Sequence, residues 1–243
     1  MTRLFCQLRQ SRQLAIKSIA VCAHTTWARA TFGLIFAGTL LGGCSALPDK
    51  PTRATMYDFG PGLLATSPAT RKALLPSLPP LALDEISTPG GTLDNRAVLY
   101  RLGYADAQQL RPYAQARWSM PPAQLVRQRL REQLGRRRAV FNAREGVALN
   151  RSQNPELPLL LRLELEEFSQ LFSAADASVG LIRLRATLLE VTPAGEKLVA
   201  QRSVVVQRPA ASADAPGGVR ALTAATDAAI DELEQWLQQT PAR

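Results

Sequence analysis

The chain has 243 residues, 46% of them apolar and 20% charged, with 29 Lys+Arg against 20 Asp+Glu. That is the composition of a globular protein with room for one domain or two small ones, and it excludes a disordered or multi-spanning chain. The single histidine, His24, and Cys6 and Cys22 all precede residue 32, and beyond Cys44 there is neither histidine nor cysteine. This excludes Ser-His-Asp and Cys-His catalysis, His-ligated metals, Cys-rich zinc sites and intrachain disulfides.

Residues 1–48 contain no acidic residue, whereas Arg3, Arg9, Arg12, Lys17 and Arg29 are basic. An apolar run, Phe32 to Leu41, follows and ends in Gly42-Gly43-Cys44. A basic region, a short apolar core and small residues at a break describe an export signal over residues 1–43. The run is too short for a transmembrane helix, which needs about 20 apolar residues. Leu41-Gly42-Gly43-Cys44 resembles a bacterial lipobox. That resemblance implies cleavage between Gly43 and Cys44, a diacylglycerol on the Cys44 sulfur and an acyl group on its new amino terminus. Several buried chains, at about 0.8 kcal/mol per CH₂, hold a protein on a bilayer where one does not. Ser45, rather than an aspartate, follows the cysteine and favours outer-membrane sorting. The basic region is long, and no methionine lies between Met1 and Met56. A shorter signal would require a non-Met start, for which Val21 is a candidate. Five of the 29 basic residues belong to the signal, which leaves the mature chain a surplus of only four. Nucleic acid is therefore not expected as a partner.

Residues 44–55 form the lipidated start and a polar tether, and residues 56–240 the folded domain. Thr55–Phe59 reads as a short strand stopped by Gly60-Pro61-Gly62, and the proline-rich stretch 61–80 as irregular. Further strands are expected over Leu81–Ile86, Ala97–Leu102 and Leu110–Trp118. Pro121 and Pro122 suit the first turn of a helix in which Leu125, Val126, Leu130 and Leu134 share a face and Gly135 is the cap. In 159–165 leucines alternate with Arg162 and Glu164, and in 181–190 Ile182, Leu184, Ala186 and Leu188 oppose Arg183, Arg185 and Thr187. Strict period two predicts half-buried strands. Thr192 to Gly195 is a turn, Leu198–Val206 returns, and the three strands form a meander. A last helix, Pro216–Gln238, has Val219, Leu222, Thr226, Ala229, Ile230, Leu233 and Leu237 on one stripe. Asp227, Asp231, Glu232 and Glu234 are expected to point away. The elements make one α/β domain: a mixed sheet carrying two main helices.

Three groups of side chains could carry function. Arg127, Arg129, Arg131, Arg136, Arg137, Arg138 and Arg144 face only Glu132 and Glu145 between residues 127 and 145. They read either as a basic patch for anionic headgroups or an acidic partner, or as a solvated face. Tyr100, Tyr104, Tyr113 and Trp118 read either as an interface anchor or as packing. Glu164 and Glu166 fall on one side of a strand and Glu167 on the other, which describes a solvated face more simply than acid–base catalysis.

Val98 to Tyr104, then Trp118-Ser-Met-Pro-Pro122, then Leu125 to Gly135 resemble, in that order, the ABC-type transport auxiliary lipoprotein family. Tyr57-Asp-Phe-Gly60 does so too, as do Arg208-Pro209, Gly217-Gly218 and the helix through Trp236-Leu237. The resemblance implies a single three-layer α/β domain with a mixed sheet and no enzymatic activity. It also implies partnership with a permease, an ATPase and a mammalian-cell-entry (MCE) domain protein in phospholipid transport between the inner and outer membranes. The expectation is thus a non-catalytic lipoprotein on the periplasmic face of the outer membrane, in contact with membrane lipid. It needs no metal or cofactor beyond the acyl groups on Cys44, and assembly into a homo-oligomer is left open. The alternatives are an envelope-assembly or cell-wall lipoprotein and a hydrolase using Glu164 or Glu166.

Overall fold

The computed structural model describes residues 53–62, 78–143 and 157–240. The expected export signal, with Gly43 and Cys44, and Arg144 lie outside the described residues, as do most of the expected tether and of the proline-rich stretch.

In chain order the elements are β1 (Thr55–Tyr57), β2 (Leu81–Leu83), β3 (Ala97–Leu102), β4 (Asp106–Trp118), α1 (Pro122–Leu134), β5 (Val140–Asn142), β6 (Leu159–Phe172), β7 (Ser178–Thr192), β8 (Gly195–Pro209) and α2 (Ala215–Gln239). Among the described residues, β6 is the spine of an eight-stranded mixed sheet. One of its edges pairs antiparallel with β7 along nearly its whole length. The other is shared: β2 lies parallel to its beginning at Leu159–Leu161, and β3 parallel to its end at Gln170–Phe172. β5 extends the sheet beyond β2, and β4 then β1 extend it beyond β3. β6, β7 and β8 are the expected meander, longer at both ends than the alternating cores from which they were read. Gly195, at φ 127°, closes the β7–β8 turn in a conformation that side chains avoid.

The inner face of the meander carries Leu161, Leu163, Leu165 and Phe168 of β6, Ile182, Leu184, Ala186 and Leu188 of β7, and Val204 and Val206 of β8, all buried. Against it lies α2, whose seven stripe residues are all buried, joined by Ala221, Ala225 and Trp236. Helix α1 buries Leu125, Val126, Leu130 and Leu134 in the same core. A smaller apolar cluster, Ala82, Leu160 and Leu189, forms on the opposite face. Alternation requires this, because Leu160 and Leu161 point to opposite sides.

Three expectations are corrected. The strand begun at Leu81 stops at Leu83, and only Ser87 makes a further bridge, to Glu164. β5, whose three residues are too few to show a period, was not anticipated. A bulge between Leu165 and Glu167 inserts one residue, so Glu167 sits opposite Arg183. All three glutamates therefore lie on the polar face instead of dividing between two.

Candidate functional site

Trp118, the last residue of β4, is fully buried. Its ring meets Phe59 edge-on at 5.7 Å and Phe168 at 5.6 Å. It is a core residue, and the interface reading fails for it. Tyr100 and Tyr113, cross-strand neighbours on β3 and β4, pack at 4.6 Å with Phe172 at 6.0 Å from Tyr100. The Tyr113 hydroxyl donates to Gln170 Oε1 at 2.9 Å, and Gln170 Nε2 donates to Ser178 Oγ at 2.8 Å. Burial, then the neighbouring Tyr100 and Asp214, push Tyr113 up to about 12, so this hydroxyl remains a donor. Tyr104, in the β3–β4 turn, is 52% exposed. The four aromatics thus divide into a core residue, a half-buried pair and one solvent-facing ring.

Gln170 was not singled out from sequence, because a glutamine in an apolar strand shows no period of its own. Its position explains one glycine that was, Gly218. A Cβ on Gly218 would collide with the Gln170 amide, and one on Gly180 would lie 2.5 Å from the backbone of Ala221. Gly218 on α2 and Gly180 on β7 therefore let the start of α2 lie directly on β6 and β7, while Gly217 makes room for Ser212.

The arginines of α1 are mostly engaged within the chain. Arg127 pairs with Glu85 at 3.2 Å and donates to Asn142 Oδ1 at 2.8 Å and to the Asp84 carbonyl at 3.3 Å. Arg131 donates to the same Asn142 oxygen and to the Val140 carbonyl. Arg129 grips Asp227 of α2 through two bonds, Nε at 2.7 Å and Nη2 at 3.1 Å, and Gln133 donates to the same carboxylate at 3.1 Å. This pairing raises the Arg129 pKa, with the Asp227 hydrogen bond the largest cause. Arg137 reaches Glu234 at 3.6 Å. Asp227 and Glu234 consequently face α1, contrary to the expectation that they point away. Arg136 is exposed and Arg138 half-buried.

On the polar face of the sheet, Arg162 pairs with Asp84 and Glu196 at 3.2 and 3.0 Å. Arg183 pairs with Glu166 at 3.1 Å, Arg185 with Glu164 and Glu166, and Arg101 with Glu167 at 3.1 Å. Every glutamate considered for acid–base work has a guanidinium against it. A cleft of about 110 Å³ opens between Phe59, Ser119, Met120, Leu125 and Arg129. Among the described residues no three acidic, histidine or cysteine side chains are placed to hold a metal. None of the helices described is long and apolar enough to cross a membrane. What the molecule offers is surface: a tyrosine-bearing hairpin, an arginine cluster at the end of α1, and β8, which among the described residues pairs only with β7 and exposes Leu198 and Val205.

Residues 63–234 match the family described as the ABC-type transport auxiliary lipoprotein component. The chain belongs to this family. The matched span begins just after β1 and ends at residue 234, so it takes in β2 to β8 and all but the last turn of α2. A crystallised protein from Xanthomonas campestris shares the fold of this auxiliary lipoprotein, with a TM-score of 0.59 at 19% identity over 77% of this chain and 96% of that one. A second crystallised protein, itself uncharacterised, aligns with a TM-score of 0.52 at 12% identity over 76% of this chain and 99% of the other. No curated protein matches. The auxiliary lipoprotein is thus a component of an ABC-type transport apparatus.

Proposed function

We propose that this auxiliary lipoprotein is a non-catalytic adaptor, cleaved between Gly43 and Cys44, acylated on Cys44 and held on the periplasmic face of the outer membrane. It docks an MCE-type ABC transporter, with its permease and ATPase, and helps pass phospholipid between the two membranes. The observation that carries the reading is the family match over residues 63–234 standing behind a lipobox-like Leu41–Cys44. Two features of the structure support an adaptor. The glutamates available for catalysis are each matched to an arginine. The Met120 cleft among the described residues, at about 110 Å³, is smaller than the pockets of about 300–1,000 Å³ that hold small ligands. Tyr104, with Tyr100 and Tyr113 at the base of its hairpin, is the docking surface in this reading.

The test is affinity capture of the full acylated chain from solubilised envelopes. Recovery of an MCE-domain protein with a permease and an ATPase is expected, and Tyr104→Ala should reduce it. Recovery instead of peptidoglycan or of outer-membrane assembly proteins would replace the proposal with an envelope-structural role. The paired change Glu164→Gln with Glu166→Gln should leave capture and transport intact.

A further inference from the structure

Helix α1 runs out into three consecutive arginines, Arg136, Arg137 and Arg138. The amides of Arg137 and Arg138 both donate to the Leu134 carbonyl at 3.2 Å, which winds the chain tightly past the helix end. Arg137 comes to 3.6 Å from Glu234 of α2, and the same carboxylate acts on Arg138. Two guanidiniums therefore share one acid, and exposed Arg136 adds a third positive charge. The Nε–H groups of Arg137 and Arg138 are buried and, among the described residues, have no acceptor. An unsatisfied buried donor is costly, and more so when it carries charge. Arg127 and Arg131, on the same helix, are satisfied by Asn142, Glu85 and backbone carbonyls, so the unmet demand for oxygen is concentrated at this one end.

We propose that Arg137 and Arg138, flanked by Arg136, bind a phosphate-type oxyanion between α1 and Glu234 of α2. A guanidinium presents its N–H donors as a planar fork that fits two oxygens of such a group, and two forks side by side fit one phosphate better than one carboxylate. Burial lowers the Arg138 pKa, and neighbouring Arg137 lowers it further against the opposing pull of Glu234. This is the behaviour of a cation short of counter-charge. Glu234 is then a competitor for the site as well as its partner. The phosphate could belong to a lipid headgroup or be free in solution. The inference stands on these side chains and does not depend on the transport reading.

The experiment is calorimetric titration of the full chain in neutral detergent with inorganic phosphate, with glycerophosphoglycerol as a lipid-free phosphodiester headgroup, and with polyglutamate. Saturable binding of at least one phosphate is expected. It should weaken by at least about tenfold in R137Q/R138Q and tighten by at least about threefold in E234Q, where the competing charge is gone. Preference for the phosphodiester identifies a lipid headgroup as the source; preference for inorganic phosphate identifies the free ion. The proposal is overturned if neither phosphate binds, if R137Q/R138Q binds as the parent does, or if only polyglutamate binds. Should R137Q/R138Q fail to fold, E234Q decides, and unchanged or weaker affinity there overturns the site.

Discussion

Gly180 and Asp214 show how single residues fix the seat of α2. A methyl group on Gly180 would stand 2.5 Å from the carbon and nitrogen of the Ala221–Leu222 peptide, and a helix backbone cannot yield locally. Gly180→Ala should cost about 1–3 kcal/mol, the range for overpacking, read as a lower urea midpoint with an unchanged slope. Asp214 caps the helix by accepting the Gly217 amide at 2.8 Å. Its carboxyl is held below the ordinary value of 3.8, first by the Ser212 hydroxyl and then by the Gly217 amide. A depressed value means that the ionised form stabilises the fold. That contribution is complete above the ordinary value and is lost as pH falls through the lower folded one. Melting temperature followed from pH 6 to pH 2 should fall less at the acid end for Asp214→Asn than for the parent. Trp118 teaches the opposite lesson to Tyr104. From sequence both are amphipathic aromatics in a hairpin. Only the approach of Phe59 and Phe168, one 59 and the other 50 positions away, makes Trp118 core.

Between elements the decisive contact is the pair Arg129–Asp227, which joins α1 to α2 across 98 residues of chain. Its side chains are 11% and 34% exposed, so screening is incomplete but not absent. A double-mutant cycle with Arg129→Met and Asp227→Asn should give a coupling energy of about 1 kcal/mol, measured by urea unfolding. No coupling would mean that the helices are held by their apolar faces alone. The elements themselves were legible to different degrees. Helix α1 was readable to within a residue because two prolines start it and the leucine spacing runs to Leu134. The cap is subtler, for Gly135 keeps a right-handed conformation and does not use its freedom. The meander strands were recognised from period two, but their ends extend into residues whose only reason to be extended is a partner strand. The bulge at Glu166 could not be seen, since a one-residue insertion is defined by the register of the neighbour.

At the scale of the molecule the sheet has a helix-covered face and a face of paired charges. In the proposed reading, attachment to the membrane depends on neither and rests on Cys44. Cys44→Ser should leave the circular dichroism and melting of the domain as they are, while moving the protein from the membrane fraction to the soluble periplasmic fraction on cell fractionation. Retention in the membrane would mean that attachment does not depend on acylation of that sulfur. The arginines are the clearest case of what assembly decides. As a run of like charge they read as one patch, but α2, β5 and the loop after β2 supply acceptors to Arg127, Arg129 and Arg131 and leave the cluster at 136–138 undersupplied.

Legible in the residues alone were the signal-like pattern before Cys44, the confinement of histidine and cysteine to residues 1–44, the two helices with their buried stripes, the meander, and the motifs that resemble the family. Each is a local pattern, set by periodicity, composition or a fixed run of residues. The tertiary structure alone decided that β6 is shared by two arms of the sheet, that Trp118 is buried while Tyr104 is not, and that Asp227 and Glu234 face α1. It likewise decided which arginines retain capacity for a ligand. These are facts of pairing between residues far apart in the chain, and a charge or a ring carries no mark of its distant partner until packing brings the two together.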